Sequence, residues 1–127
     1  MLYLLMNIIE LRRKLKTASS NVTIKQLQKH VKRAYLASPK KDSQTGNSRN
    51  RWSVIAMEEM AECQQAISKF IRGKGDRLNL TEELADVIIS VFMITEMYNI
   101  KLSDINKVIN IKIERVKEKQ KSGDMFK

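Results

Sequence analysis

Hydrophobic positions along this chain recur at intervals of three and four residues, the period of an amphipathic helix and not the alternation of a strand. In the opening run MLYLLMNIIELRRKLK, Leu2, Leu5 and Ile9 make a stripe that continues toward Leu11 or Leu15. This predicts a helix or N-terminal extension over residues 1–20. The run is too short to span a bilayer, and its basic residues follow the apolar ones, the reverse of a signal peptide. A second helix begins after Asn21 or Thr23, either of which can cap it. Ile24, Leu27, Val31, Ala34 and Leu36 form its apolar side, Lys25, Lys29, Lys32 and Arg33 the polar one, and it stops before Pro39. SPKKDSQTGNSRN then reads as a loop, long for a compact domain and suited to a substrate lid.

Two further helices form a hairpin. The first is expected from about Asn50 to Ile71, capped by Ser48 or Asn50. RGKGDR makes the turn, and the second runs from an Asn79 cap to Tyr98 and Asn99, where Asn suits a left-handed stop. Within LTEELADVIISVFMI the polar residues Glu83, Asp86 and Ser90 form one line on an otherwise apolar helix. Ser103 is expected to cap a last helix whose Ile105, Val108, Ile109, Ile111 or Ile113, and Val116 define a buried side, before the tail SGDMFK. The fold class is all-α: one domain over residues 1–127, an antiparallel helical bundle. The second hairpin helix carries more apolar surface than one partner can cover, so oligomerisation is expected to complete the bundle.

Charge changes this picture in one respect. The net charge of +10 is uneven: residues 1–50 hold eleven Lys/Arg against two acids, residues 51–100 five against eight, and residues 101–127 eight against four. The acidic middle lies between basic flanks that attract polyanions, whether nucleotide or nucleic acid. The lone cysteine, Cys63, excludes an intramolecular disulfide and fits a reducing cytoplasm. The lone histidine, His30, lies in a different, basic segment, so a Cys–His nucleophile is not expected.

The candidate chemistry lies in the acids. Glu59 and Glu62 are three apart, as are Glu83 and Asp86, so each pair shares a helix face with Cβ atoms about 5–6 Å apart. Facing each other across a hairpin, such pairs must take up protons or hold a cation. With neither Cys nor His among them, the cation is a hard one, magnesium or else manganese. The Glu-x-x-His pairs of a di-iron bundle are missing. Glu58 and Glu62, four apart, also share a face, so spacing alone does not rank Glu58 against Glu59. Trp52, at the start of the first hairpin helix, is either a core anchor or a platform for a nucleobase, and is carried as a substrate-binding candidate.

EExxE followed at moderate distance by ExxD resembles the signature of the MazG-like, all-alpha nucleoside triphosphate pyrophosphohydrolases. Glu58, Glu59, Glu62, Glu83 and Asp86 match it, and AISKFIRGK, ELADVIISV, YNI and KIERV extend the likeness over residues 51–119. The resemblance implies a metal-dependent hydrolase that converts a nucleoside or deoxynucleoside triphosphate to the monophosphate and pyrophosphate. It implies Glu59, Glu62, Glu83 and Asp86 as ligands, Glu58 as catalytic base or outer-shell ligand, and Lys112 and Arg115 as phosphate-binding residues. The expected assembly is a homodimer or homotetramer, with no membrane association. Two rival readings are a basic helical nucleic-acid-binding protein, with nucleic acid the less expected partner, and a regulatory protein without turnover.

Overall fold

The computed structural model describes residues 8–37 and 48–123. Their regular structure is five helices: α1 (Ile8–Leu15), α2 (Ile24–Ala37), α3 (Ser48–Ile71), α4 (Arg77–Met97) and α5 (Leu102–Ser122). The expectations for Leu2 and Leu5, the stop at Pro39, residues 38–47 of the proposed lid and the tail beyond Gly123 lie outside the described residues.

Local chemistry sets the helix ends. Thr23 caps α2 reciprocally: the Gln26 N–H donates to Thr23 Oγ1 at 3.1 Å, and the Thr23 N–H to Gln26 Oε1 at 3.0 Å. Thr23, not Asn21, is therefore the cap. Asp76 caps α4, its side chain accepting from the Asn79 N–H at 2.8 Å, so Asn79 is inside the helix and not its cap. The α3–α4 turn depends on its glycines. Gly73 has φ 71°, a left-handed geometry that costs glycine least, and a Cβ on Gly75 would lie 3.0 Å from the Phe70 nitrogen. At its other end α4 stops as the sequence predicts, with Asn99 at φ 53° and the Ile100 N–H donating back to the Thr95 carbonyl at 2.9 Å. α5 starts at Lys101 without a side-chain cap, so Ser103 lies within its first turn.

α3 and α4 pack antiparallel as the main helix pair, and α2 lies against α4. Ties at both ends fix the hairpin. Ser53 Oγ meets Tyr98 Oη at 2.7 Å beside Arg49, which lies 5.6 Å from the Tyr98 ring, while Arg77 lies 5.7 Å from the Phe70 ring at the turn. Val31, Trp52, Ile55, Met93 and Met97 form the core, with Leu27, Ala34, Tyr35, Ile89, Phe92 and Ile94 around them. Fully buried Ala56 and Ser90 are small enough to let neighbouring backbones approach, and Ser90 satisfies its hydroxyl by donating to the Asp86 carbonyl at 2.7 Å.

Within the single chain α4 keeps apolar surface that its neighbours leave open: Leu84, Ile88 and Val91 are 47%, 55% and 39% exposed. One expectation about burial fails. α5 has no buried residue, and every position from Asn106 to Gly123 is exposed, including Val108, Ile109, Ile111, Ile113 and Val116. Helical spacing identifies an apolar side but does not name what covers it.

Candidate metal centre

Midway along the α3–α4 hairpin, where α3 is lined by the inward positions Trp52, Ile55, Glu59, Cys63 and Ala66, two acids replace apolar residues on the packed faces. Glu59 is 3% exposed and Asp86 8% exposed. Glu83, one turn before Asp86, is partly buried, and its Oε2 is sealed from solvent with no hydrogen-bond partner. Exposed Glu62 completes the group: one carboxylate oxygen from each of Glu59, Glu62 and Glu83 lies within 4.8 Å of the others. Asp86 is linked to it by a hydrogen bond to Glu59. The α3/α4 register thus brings three of the four predicted ligands into one close group, with Asp86 beside Glu59 and outside it.

The electrostatics are those of crowded negative charge, with no Lys or Arg among the described residues contributing to the shifts. Burial, more than any neighbour, pushes the Asp86 carboxyl up from its ordinary value of 3.8 to about 7, and the charges of Glu59, Glu83 and Glu82 add to the shift. Burial also raises Glu83, reinforced by Glu62, Glu59 and Glu82. Glu59 is raised by burial and by Glu62, while the hydrogen bond from Asp86 works the other way. Glu82, outside the close group, is a neighbour that sequence reasoning passed over. Its carboxyl is raised by burial and by Glu62, and its place four residues before Asp86 was the available signal.

A divalent cation fits these residues. The donors are all oxygen, an acceptor is buried without a donor, and the carboxyls of Glu59, Glu83 and Asp86 are raised by burial and by one another's charge, which a cation would relieve. Ligands of one octahedral Mg2+ at 2.0–2.1 Å stand about 3 Å apart when adjacent and about 4.2 Å when opposite, so oxygens within 4.8 Å of one another must close in to share the ion.

The remaining candidates lie elsewhere. Glu58 is exposed and outside the close group, so Glu59, not Glu58, partners Glu62 there. Trp52 is a core residue, 6% exposed, its ring 5.8 Å from that of Tyr35 at an interplanar angle of 83°. It lines a small apolar cleft with Leu27, His30, Val31, Ala34, Ile89 and Met93 and is not an open stacking platform, so its substrate-binding assignment gives way to the core one. Lys112 and Arg115 lie on the exposed part of α5, which does not pack along α3 or α4, so one chain does not bring them to the acids. Among the described residues no helix is long and apolar enough to cross a membrane.

A family model described as the MazG nucleotide pyrophosphohydrolase domain matches residues 48–120, the whole of α3 and α4 and nearly all of α5. No curated protein and no solved structure matches the chain.

Proposed function

The chain belongs to the MazG nucleotide pyrophosphohydrolase domain family, and from that premise we propose that it hydrolyses the α–β anhydride of a nucleoside or deoxynucleoside triphosphate, releasing the monophosphate and pyrophosphate. Glu59, Glu62, Glu83 and Asp86 hold the cation. The observation that carries this reading is the partnerless, buried Glu83 Oε2 beside the buried carboxyls of Glu59 and Asp86. Burying carboxylates without donors costs several kcal/mol, and a hairpin that only needed to fold would gain by replacing them with apolar residues.

Magnesium or manganese, when bound, supplies the positive centre that offsets triphosphate charge and polarises a phosphoryl oxygen. The protein's own contribution is placement. The α3–α4 hairpin presents the acids side by side, and Asp86 would hold the ion as its carboxylate. Glu58, exposed one residue from Glu59, is assigned to orienting the attacking water and taking its proton. Lys112 and Arg115 are assigned to the phosphates, and the working unit is at least a dimer. Pyrophosphate release from a panel of ribo-, deoxy- and base-modified triphosphates tests the proposal. Turnover is expected only with Mg2+ or Mn2+ and is lost in Glu59→Ala and Asp86→Ala. Absence of turnover across the panel, or turnover indifferent to those changes, would overturn it.

A further inference from the structure

α2 packs one side and charges the other. Val31 is buried, with Leu27, Ala34 and Tyr35 packed beside it against the α3–α4 core, whereas Lys25, Lys29, Lys32 and Arg33 are exposed. At 3.6 residues per turn the four cations fall within an arc of roughly 100° opposite the packed side and extend about 12 Å along the axis. The strip therefore faces solvent and points away from α4 and its acids. α2 contains no acid, and none of the four cations makes an ion pair within the described residues. Lys29 instead has like charges three or four residues away at Lys25, Lys32 and Arg33, an arrangement that opposes the helix until an anion spans it. α5 is also rich in lysine but differs in kind: Asp104, Glu114 and Glu118 are interspersed, and Lys117 Nζ lies 3.2 Å from Glu114 Oε1. Residues 8–37 as a whole hold eight Lys/Arg against one acid, Glu10.

We propose that this strip of α2 binds the phosphate backbone of a nucleic acid without regard to base sequence, a function separate from the hydrolysis proposed above and independent of it. Three arguments select the occupant. A free triphosphate places its charge at one point of the strip, whereas a nucleic-acid strand repeats its charge along it. An anionic membrane is bound by helices that also insert an apolar face, and the apolar side of α2 is already packed in the core. No aromatic ring stands on the strip to stack on a base, since Tyr35, the aromatic residue of α2, packs against Trp52, so the contacts are to phosphate and carry no sequence preference. The strip also lies outside residues 48–120, the family-matched segment, so a bound strand leaves the α3–α4 carboxylates open to nucleotide.

Fluorescence anisotropy with a labelled single strand of about 20 nucleotides, and with the same sequence as a duplex, tests this in chelator. Four phosphates neutralised on a single strand give a slope of about −2.8 in log affinity against log salt, a loss of about 50-fold between about 50 and 200 mM salt. Replacing the strip by Lys25→Gln/Lys29→Gln/Lys32→Gln/Arg33→Gln is expected to weaken binding at least about tenfold and flatten the slope, with an unchanged helical spectrum. Removing the same charge from α5, by Lys107→Gln/Lys117→Gln/Lys119→Gln/Lys121→Gln, is expected to leave affinity within about twofold. Equal weakening by both variants, or none by the strip variant, overturns the proposal. So does a wild-type protein that binds neither nucleic acid at low salt, including one that binds phosphatidylserine vesicles instead. Glu59→Ala is expected to bind as wild type does, which separates this result from any failure of catalysis. Loss of binding in that variant would place the polyanion at the carboxylates and overturn the strip.

Discussion

Replacing Asp86 with Asn removes the charge while keeping the shape, and the burial of this residue gives the consequence a sign. The folded carboxyl titrates at about 7 against an ordinary 3.8. The proton is therefore held more tightly in the folded protein. The stabilisation this provides is full below about pH 4, shrinks as pH rises, and is gone above about pH 7. Three units correspond to a ceiling on the order of 4 kcal/mol, and relaxation of the neighbouring Glu59, Glu62 and Glu83 reduces the expected effect to about 2 kcal/mol. At pH 8 and without metal, Asp86→Asn should thus be more stable than wild type by about 2 kcal/mol. At pH 4, where wild type carries the proton, the two should be nearly equal. Magnesium reverses the order. At a hundred times its dissociation constant it stabilises wild type by about 2.7 kcal/mol and leaves the variant almost unchanged. Urea unfolding followed by far-UV circular dichroism, at both pH values with chelator or magnesium, measures all four states. An Asp86→Asn protein less stable than wild type at pH 8 with chelator, or stabilised equally by magnesium, would refute the reasoning.

Three other consequences follow from the packing. Asp76→Ala removes the α4 cap and is expected to cost about 1 kcal/mol in urea unfolding while leaving metal affinity intact; a loss of metal binding instead would mean that the cap sets the hairpin register. Trp52→Ala should destabilise by about 3–5 kcal/mol, as truncation of a core aromatic does, whereas Trp52→Phe should leave KM within about twofold. A large KM increase in folded Trp52→Phe would restore the stacking role. Ala56→Leu, overfilling a fully buried position of α3, should cost about 1–3 kcal/mol and lower kcat in the folded fraction. An unchanged urea midpoint would show that this part of the hairpin is loosely packed.

Much of this architecture is legible in the sequence because helical periodicity is local. The acid pairs at three-residue spacing, the polar line Glu83, Asp86 and Ser90, the glycine turn and the Asn99 stop all follow from one residue's relation to the next few. Asp76 and Glu82 were equally local and went unread, the first inside a turn noted for its basic residues, the second beside the more obvious Glu83. What periodicity does not carry is the identity of a helix's neighbour. The stripes on α4 and α5 are plain in sequence, yet nothing local states that α5 leaves its own hairpin or that Lys112 and Arg115 stand away from the acids of the same chain. Trp52 fails for a related reason: a ring at a helix start suits core or ligand equally until Tyr35 and Val31 are seen to enclose it.

The most direct test of the central claim is manganese binding measured by electron paramagnetic resonance on the wild-type protein and on Glu83→Gln, at pH 8 without nucleotide. Convergence of the α3 and α4 carboxylates predicts saturable binding by wild type that weakens at least about tenfold in Glu83→Gln, a loss of about 1.4 kcal/mol or more. Equal binding by the two proteins, or none by wild type at millimolar manganese, would contradict it.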